Sequence, residues 1–515
     1  MAPGTVPRNE KPMRGAAERL GSADLAPPAR PVSMPTYHLV TFGCQMNQHD
    51  SERIQERLEA AGYVARETPE EADLVLLNTC SVREKSEQKL RSEVGRLGLL
   101  KRDRPDLVIA VAGCVAEQEG ERLLKRLPQI DLILGPDRIS DLAHALSEIE
   151  LGGPQRVLTG FDVEDPKFLA ANPGRGEITP AAFVTVMKGC NERCSFCIVP
   201  HTRGPERYRP AAEIVDEIQR LVGLGVIEVT LLGQTVNSYR DPERALETEG
   251  VGEPWQNTSP RRARDDESEF AALLRRIVAQ VPGLRRLRYT SPHPRHLTRS
   301  LIRAHAELAP LARHVHLPVQ SGSDRVLRRM LRRYSVAEYR ERVLALCAAV
   351  PGVTVSTDMI VGFPGETEED FASTLALVRE LDFANLYGFK YSVRPFTPAR
   401  HLEDDVTEAE KTERLHRLFE LSQGQKNAHL LRRVGGDELV VVEGRGKRGG
   451  WTGRTERHEI VHFEAPERDP AGRLVTVRIE EAFANSLSGR LLNPSSLPRQ
   501  SAAPSVRRAL PMVEA

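Results

Sequence analysis

The stretch KGCNERCSFCIVPHTRG, residues 188–204, holds three of the chain's seven cysteines within eight positions. These are Cys190, Cys194 and Cys197, separated by three residues and then by two. A structural zinc site usually takes four ligands in two separated pairs, and only His201 lies nearby as a fourth ligand. A thioredoxin-like motif needs two cysteines and leaves Cys190 without a role. Three thiolates on a cubic iron–sulfur cluster leave one iron open to a substrate or cofactor, so the spacing favours a cluster.

The composition narrows the class of protein. The chain has 515 residues, 40% of them hydrophobic, which suggests three or four domains with buried cores. Lysine plus arginine and aspartate plus glutamate both number 72, so any affinity for nucleic acid has to come from local patches. No apolar run of about 18 residues predicts a membrane span, and no signal peptide is visible at the N-terminus. We therefore expect a cytoplasmic protein with reduced thiols and without disulfides.

Residues 36–150 alternate between strand-like and helix-like segments, which predicts an N-terminal α/β domain after a disordered lead-in over residues 1–35. The apolar runs of this domain cover residues 37–42, 72–78 and 106–113. Cys44, Cys80 and Cys114 each follow one of these runs. Because the carboxyl ends of parallel strands meet at one edge of a sheet, we expect the three thiols to converge there. The alternative is three unrelated buried thiols.

A second strand–helix series begins after a Gly- and Pro-rich linker over residues 151–180 and predicts a partial (βα)6 barrel over residues 181–430. Its six candidate strands are residues 181–187, 227–233, 284–290, 314–319, 353–362 and 384–392. The first strand leads directly into the quoted cysteines, at the end where barrels place catalytic groups. Residues 240–268 are expected to form a polar surface insertion.

Strand-like segments with Gly-rich turns predict a small β-barrel over residues 431–495, followed by a disordered tail over residues 496–515. Upstream, Cys347 lies in the helix-like apolar run ERVLALCAAV and is predicted to be a small core residue.

Eight motifs, in order and over roughly residues 36 to 495, resemble the methylthiotransferase family of radical S-adenosylmethionine (SAM) enzymes. The motifs are TFGCQMNQHDSE, LNTCSVREKSEQK, GCVAEQEGE, KGCNERCSFCIVPHTRG, LLGQTVNSY, HLPVQSGSDRVL, DMIVGFPGETEEDF and YSVRPFTPA. The resemblance implies an α/β fold class, with an N-terminal methylthiotransferase domain and a central radical SAM barrel. It also implies a C-terminal TRAM domain, which is a small RNA-binding β-barrel.

The same resemblance implies two 4Fe–4S clusters. Cys190, Cys194 and Cys197 match the ligands of the SAM-cleaving cluster, and Cys44, Cys80 and Cys114 match those of an auxiliary cluster. The family uses two SAM molecules per turnover. One donates a methyl group to sulfur at the auxiliary cluster, and the other gives the 5′-deoxyadenosyl radical that removes hydrogen from the target carbon. An electron donor such as a flavodoxin or ferredoxin is expected, and the protein is expected to be a monomer.

Polar motifs at the ends of barrel strands are expected to line the SAM and substrate cavity. The resemblance suggests four of these residues, Gln234, Asn237, Gln320 and Ser321. In VGFPGET, Gly362 and Gly365 would let the backbone approach a ligand closely. The alternative for this motif is an ordinary strand-to-helix turn, with Glu366 or Thr367 near the helix cap.

The chain departs from its relatives at two visible positions. Thr235 stands in GQTVN where related sequences usually have Asn, and Phe396 stands in RPFTP where they usually have a small residue, often Gly. Neither position is a cluster ligand. Phe396 is expected to narrow the entrance for the substrate.

Two basic segments are candidate RNA contacts. Residues 285–345 contain 14 arginines, no lysine and four acidic residues, which fits phosphate contact better than a solvated helix face. In EGRGKRGGWTGRTER, residues 443–457, a basic turn is followed by a tryptophan that could stack on a base. The candidate RNA-binding residues of this segment are Arg445, Lys447, Arg448, Trp451 and Arg454.

The resemblance is strongest to the branch of the family that methylthiolates C2 of N6-isopentenyladenosine beside the anticodon of tRNA. The other two branches act on threonylcarbamoyl-adenosine in tRNA and on an aspartate of a ribosomal protein. They carry a Tyr-Gly pair where this chain has Tyr239 followed by Arg240. A non-catalytic iron–sulfur or zinc protein that binds RNA is the alternative from another class, and the open coordination site argues against it.

Overall fold

The computed structural model describes residues 34–81, 84–171, 179–245, 268–446, 449–466, 468–493 and 512–513. The predicted lead-in lies outside the described residues up to residue 33, and so does most of the predicted polar insertion, residues 246–267. Of the predicted disordered tail only Met512–Val513 are described, and they differ from the prediction by pairing with the first strand of the fold. No helix among the described residues is long and apolar enough to cross a membrane.

The N-terminal domain is a parallel sheet covered by helices on both faces. Its strands are β1 (Thr36–Phe42), β2 (Val64–Ala65), β3 (Leu74–Thr79), β4 (Val108–Gly113), β5 (Leu132–Leu134) and β6 (Arg156–Leu158). Its helices are α1 (Gln45–Ala60), α2 (Glu84–Asp103), α3 (Cys114–Glu119), α4 (Glu121–Arg126) and α5 (Leu142–Glu150). The strand order is β2-β1-β3-β4-β5-β6. Successive residues of β3 alternate between the two apolar clusters on either side of the sheet, which explains its uninterrupted apolar run.

The predicted linker starts too early. Residues 151–180 include β6, whose three residues pair in parallel with β5 and complete the N-terminal sheet. The apolar run of this strand is too short, and its Gly- and Pro-rich flank too prominent, for the sequence pattern to reveal it.

All six predicted barrel strands are present. They are β7 (Ala181–Thr185), β10 (Glu228–Leu232), β11 (Arg286–Tyr289), β12 (His314–His316), β13 (Thr354–Val361) and β14 (Asn385–Lys390), and β8 (Met187–Lys188) and β9 (Arg207–Tyr208) form a short hairpin. The strands form two parallel sheets, β11-β10-β7 and β12-β13-β14, with a single bridge between Leu287 and Leu311. The barrel is therefore partial, as expected.

Helices surround the barrel strands and bury one large apolar core. They are α6 (Val199–Arg203), α7 (Ala211–Gly223), α8 (Pro242–Ala245), α9 (Glu269–Gln280), α10 (Arg299–Glu307), α11 (Asp324–Arg329), α12 (Val336–Ala349), α13 (Glu368–Leu381) and α14 (Glu408–Leu431). Cys347 lies on the outer face of α12 and is exposed, so its prediction as a core residue is wrong. The apolar run around it places Val343 and Leu346 inward instead.

The C-terminal segment forms the predicted small barrel. Its strands β15 (Asp437–Arg445), β16 (Trp451–Arg454), β17 (Ile460–Glu464), β18 (Leu474–Ala482) and β19 (Leu487–Leu491) close in the order β15-β16-β17-β19-β18. Arg286 donates to the carbonyl oxygens of Leu439 and Arg454, each at 3.0 Å, and Arg288 donates to those of Thr455 and Glu456. Arg286 is the first residue of β11 in the central barrel. The small barrel therefore contacts the N-terminal ends of the central barrel's strands, opposite the end that carries the cysteines.

Candidate functional site

Three cysteines meet at one edge of the N-terminal sheet. Cys44 follows β1 and immediately precedes α1, Cys80 follows β3, and Cys114 follows β4 as the first residue of α3. Since β1, β3 and β4 are neighbours in the sheet, the strand-end placement expected from the sequence is confirmed. A hydrogen bond with Cys80 lowers the pKa of the Cys44 thiol to about 6 in spite of its burial. Cys44 is therefore readily available as a thiolate ligand.

Two glycines allow these strand ends to approach each other. Gly43 has φ +126°, and a Cβ there would lie 2.4 Å from the Cys80 Cβ. Gly113 has φ +92°, and a Cβ there would lie 2.3 Å from the Thr79 carbonyl oxygen. Any larger residue at either position would push two of the three cysteine-bearing strand ends apart.

The second triad lies in a tight loop after β7 and β8. Gly189 has φ +78°, and a Cβ there would lie 1.8 Å from the Pro205 carbonyl oxygen. The Cys190 N–H donates to the Gly204 carbonyl at 3.1 Å, and the Cys197 N–H donates to the Cys194 carbonyl at 3.1 Å. Burial raises the pKa of Cys190 well above its ordinary value and that of Cys197 to about 12. Ionised thiols in this loop therefore need a cation beside them, as iron would provide.

Two polar side chains contact the sulfur atoms of this second triad. The Thr235 hydroxyl lies 3.0 Å from the Cys190 Sγ. Arg332 donates from Nη1 to the Cys194 Sγ at 3.3 Å and from Nη2 to the Pro318 carbonyl at 2.8 Å. The sequence had placed Arg332 only within an arginine-rich segment, so its contact with a predicted ligand was missed.

A buried arginine connects the two triads. Arg203, the last residue of α6, donates from Nε to the Cys114 Sγ at 3.3 Å and from Nη2 to the Asp50 carboxylate at 2.7 Å. Burial would raise the pKa of Asp50, but the adjacent Arg203 holds it at about 2. The loop of the second triad thus reaches into the first, although 89 residues separate Arg203 from Cys114 in the sequence.

Further contacts hold the same two domains together. The Lys188 ammonium lies 3.1 Å from the Asp137 carboxylate, and Arg207 pairs with that carboxylate as well. On the other side, His49 lies 3.3 Å from the Thr185 hydroxyl. These buried polar contacts place both triads at one interface between the sheet edge and the barrel mouth.

Gln234 and Asn237 lie beside the cysteine loop but have different roles. The Gln234 Oε1 accepts a hydrogen bond from the Gly189 N–H and so supports the loop. Its Nε2 is buried and has no partner among the described residues, which leaves both of its N–H groups for a ligand. Asn237 instead exchanges hydrogen bonds of 3.0 and 2.8 Å with the backbone of His293, so its amide fixes a neighbouring loop.

Gln320 and Ser321 lie in the segment between β12 and α11. Gln320 has φ +78°, and its backbone pairs with Asp358 and Ile360 at 2.9 Å each. The Ser321 hydroxyl accepts from the Ser323 N–H at 3.2 Å, at the start of α11. Both residues therefore shape the turn, and their contact with SAM stays a prediction.

In VGFPGET the structure shows a strand-to-helix turn. The Gly362 N–H donates to the Glu366 carboxylate at 2.6 Å, and the Gly365 N–H donates to Asp405. Thr367 caps α13 and forms a reciprocal capping box with Asp370. The two glycine amides are thus already paired within the protein, and the positive φ angles of Gly362 and Gly365, +67° and +79°, suit the turn.

The candidate RNA contacts differ from the prediction in one respect. Trp451 is only 5% exposed, because it points into the core of the small barrel, so its prediction as an accessible stacking residue is wrong. The Arg445 guanidinium covers its ring at 4.1 Å, and Arg454 pairs with Glu443 at 2.8 Å. Lys447 and Arg448 lie outside the described residues.

Some of the arginines of segment 285–345 are also buried. Arg286, Arg288 and Arg332 are buried, the first two against the small barrel and the third against Cys194. The phosphate contacts predicted for this segment would have to come from its other arginines.

Comparison with known proteins covers most of the chain. Residues 36–135 match the uncharacterized protein family UPF0004, residues 184–378 match the radical SAM superfamily, and residues 431–492 match the TRAM domain. The tRNA-2-methylthio-N(6)-dimethylallyladenosine synthase of Sorangium cellulosum is 58% identical over 505 residues, which cover 94% of this chain and 99% of that protein. The protein of the same name from Geobacter sulfurreducens is 44% identical over 88% of this chain and 97% of its own. Among solved structures, the radical SAM methyltransferase TsrM from Kitasatospora setae is 17% identical, with a TM-score of 0.47 over 72% of this chain and 74% of its own.

Proposed function

Since this chain belongs to the family of tRNA-2-methylthio-N(6)-dimethylallyladenosine synthases, we propose that it methylthiolates C2 of N6-isopentenyladenosine beside the anticodon, with a 4Fe–4S cluster at each cysteine triad. It is a radical SAM methylthiotransferase that acts on tRNA. A 4Fe–4S cluster and SAM follow from the radical SAM domain. The second cluster and the identity of the modified nucleoside are the parts that we propose.

The observation that carries the proposal is the joining of the two triads by Arg203. A methylthiotransferase has to bring a sulfur source and a SAM-cleaving centre to the same substrate carbon. Arg203 leaves the loop of Cys190, Cys194 and Cys197 and donates to the Cys114 Sγ at 3.3 Å. The two sets of ligands therefore face one interface, as this reaction requires.

The donor sets fit the proposed clusters. Each triad offers three cysteine sulfurs and leaves one iron of a cubic cluster open. Arg203 at Cys114 and Arg332 at Cys194 each place a fixed positive charge beside a sulfur, which stabilises the anionic cluster that three thiolates would hold. When bound, such clusters supply the electron for SAM cleavage and the sulfur for transfer.

The protein's own residues position the reactants and keep water out. Gln234 accepts a hydrogen bond from the Gly189 amide, and its unpaired Nε2 would orient SAM. Thr235 contacts the Cys190 Sγ, and the burial of Cys190 and Cys194 shields this loop from solvent. Shielding suits a reaction that passes through reactive species, because water and oxygen are excluded.

The same proposal implies an electron donor, an oligomeric state and a set of tRNA contacts. The electron would come from a small redox protein such as a flavodoxin or ferredoxin. The enzyme would work as a monomer in the cytoplasm, where tRNA is modified. In the small barrel, Arg445 and its neighbours Lys447, Arg448 and Arg454 would contact the tRNA backbone.

Anaerobic reconstitution tests the proposal. The protein is loaded with iron and sulfide, supplied with SAM, a reductant and isopentenylated tRNA, and the nucleosides are analysed by mass spectrometry. We expect about eight irons per chain and a methylthio-isopentenyladenosine product. About eight irons with 5′-deoxyadenosine and no such nucleoside would contradict the proposed substrate and direct the search to the threonylcarbamoyl-adenosine and ribosomal-protein substrates. About four irons would contradict the second cluster.

A further inference from the structure

Phe396 holds a conformation that a bulky residue rarely adopts. It lies in the loop between β14 and α14, with φ +66°, in the left-handed region that glycine occupies without strain. Its side chain is 43% exposed, so burial of the ring does not compensate for the strain. Strained residues of this kind cluster at ligand sites, where the surrounding structure holds them in place.

The surroundings of Phe396 place it at the meeting point of the two cysteine-bearing domains. Its loop is anchored to the second triad, because the Ala399 N–H donates to the carbonyl of Ser195 at 2.8 Å. The exposed ring of His201, four residues beyond Cys197, has its centroid 5.8 Å from that of Phe396. Arg122 lies on α4 of the N-terminal domain, and its guanidinium is 5.3 Å from the Phe396 ring centroid. The ring therefore spans the edge of the interface where both triads meet.

Basic side chains continue from Arg122 along α4. Arg122, Lys125 and Arg126 line an open hollow of about 420 Å³ together with Glu119. Arg126 pairs with Glu119 at 2.6 Å, so the hollow keeps a net positive charge of two from these four side chains. A charged hollow beside an exposed aromatic ring matches the way proteins hold unpaired nucleotides, by base stacking and phosphate contact together.

We propose that Phe396, flanked by His201 and Arg122, is a stacking platform for one unpaired nucleobase of the anticodon loop, and that Lys125 and Arg126 contact the adjoining phosphates. The inference rests on the proposed function, because that function brings a tRNA loop to this interface. It also gives Phe396 a role beyond narrowing the entrance.

Replacement of the aromatic ring tests the platform directly. The ligand is a synthetic anticodon stem-loop RNA that carries N6-isopentenyladenosine and a 2-aminopurine in the loop, titrated anaerobically into reconstituted protein at fixed salt. We expect Phe396→Gly and Phe396→Leu to raise the Kd about tenfold and to remove most of the 2-aminopurine quenching, since a single stacked base is lost. Phe396→Trp should bind within about twofold of the unmodified protein.

Thermal stability separates stacking from simple packing. Phe396→Gly relieves the left-handed strain, so we expect its Tm to stay the same or to rise. Leu331 is a matched control, because it is also 43% exposed and has φ +57° but carries no aromatic ring. Leu331→Gly should show the same change in Tm but keep the 2-aminopurine quenching, since no aromatic ring is lost. A lower Tm for Phe396→Gly would identify the ring as a packing residue and overturn the platform.

The salt dependence of RNA binding and the affinity of the unmodified protein provide two further tests. Lys125→Gln with Arg126→Gln should flatten the salt dependence of binding, whereas the Phe396 variants should leave its slope unchanged. If the unmodified protein binds the stem-loop and Phe396→Leu binds equally well, the platform is overturned and the proposed function is not. If the unmodified protein does not bind the isopentenylated stem-loop at all, both are overturned.

Discussion

Cys190, Cys194 and Cys197 lie within eight consecutive residues, whereas Cys44, Cys80 and Cys114 are spread over about 70. The compact triad is shaped by one loop, whose backbone hydrogen bonds to Gly204 and within the loop set the spacing of its sulfurs. The dispersed triad exists only when three parallel strands pair in register. Its geometry is thus a property of the whole N-terminal sheet, and it should be the first to be lost when that sheet is perturbed.

The ionisation of the cysteine thiols also differs between the two triads. Burial raises the pKa of Cys190, Cys197 and also Cys114, whereas a hydrogen bond with Cys80 lowers that of Cys44 to about 6. Cys44 is thus the thiol of the dispersed triad that would lose its proton to iron most readily.

Removal of one cysteine from each triad should produce the largest effects and separate their roles. Cys114→Ala should lower the iron content from about eight to about four per chain and abolish the methylthio product, while 5′-deoxyadenosine is still formed from SAM. Cys194→Ala should lose about the same amount of iron but also SAM cleavage. Iron and sulfide analysis with product detection by mass spectrometry checks both.

Cys347→Ala is the matched control for these two variants. Cys347 is exposed on α12 and belongs to neither triad, so its loss should leave iron content and products unchanged. If Cys114→Ala retained the nucleoside product, the assignment of the dispersed triad as the sulfur-donating site would be wrong.

Arg203 and Arg332, the arginines beside the two triads, should differ in their effect on the stability of the protein. Arg203→Gln leaves the buried Asp50 carboxylate without its cation, which costs about 3–5 kcal/mol. Arg332→Gln leaves the Pro318 carbonyl, the Cys194 sulfur and the Tyr334 hydroxyl without the guanidinium, at about 1–3 kcal/mol. We expect scanning calorimetry of the reconstituted proteins to show the larger fall in Tm for Arg203→Gln.

The double variant Arg203→Gln with Asp50→Asn supplies the control. Because it removes the unpaired charge, it should recover part of the lost Tm while the contact with Cys114 stays broken. Equal falls in Tm for Arg203→Gln and Arg332→Gln would mean that the two arginines stabilise the protein equally, which would contradict the expected difference between the two triads.

Crowding at the strand ends should appear as a smaller effect at Gly113. Gly113→Ala adds a Cβ 2.3 Å from the Thr79 carbonyl oxygen in a left-handed backbone, so we expect a loss of about 3 kcal/mol and reduced iron at the dispersed triad. Gly62→Ala has a similar φ, +90°, but no atom within 4 Å, and should cost only about 1 kcal/mol. Urea unfolding of both variants, with iron analysis, measures the difference.

How much the sequence predicted depends on whether the responsible interaction is local. The spacing of Cys190, Cys194 and Cys197 is local, and the strand-end rule was enough to gather Cys44, Cys80 and Cys114 from three separate strands. The contact of Arg203 with Cys114 joins two domains, and no periodicity or motif spacing encodes such a pair. Only the position of Arg203 within the quoted motif PHTRG could have suggested a role.

Trp451 and the buried arginines of segment 285–345 show that local composition does not predict which side chains are buried. In β16, Trp451 and Gly453 are buried while Thr452 and Arg454 are more exposed, so a strand assignment to WTGR would have turned the tryptophan inward. Arg286 and Arg288 alternate with apolar residues in β11, and Glu228 pairs with both of them. Local charge alone could not distinguish these buried arginines from phosphate-binding ones.

The smallest expected effect concerns Thr235, at a position where the resemblance to the family leads us to expect Asn. Its hydroxyl lies 3.0 Å from the Cys190 Sγ, and such a hydrogen bond contributes about 1 kcal/mol. Because hydrogen bonds to cluster sulfurs raise the reduction potential, Thr235→Val should lower the potential of the compact triad's cluster, by about 30–60 mV for one bond of this strength in a one-electron couple. Redox titration followed by electron paramagnetic resonance measures the shift.

Thr235→Asn keeps a donor at the same position and should restore most of that potential. The dispersed triad is unaffected by either change, since the contacts of Thr235 are with Cys190 and its own loop. Its cluster signal therefore serves as the internal reference in the same sample. If both signals moved together, the two sites would be electronically or structurally coupled through the Arg203 contact, and their separation into a local and a global site would hold for folding but not for redox chemistry.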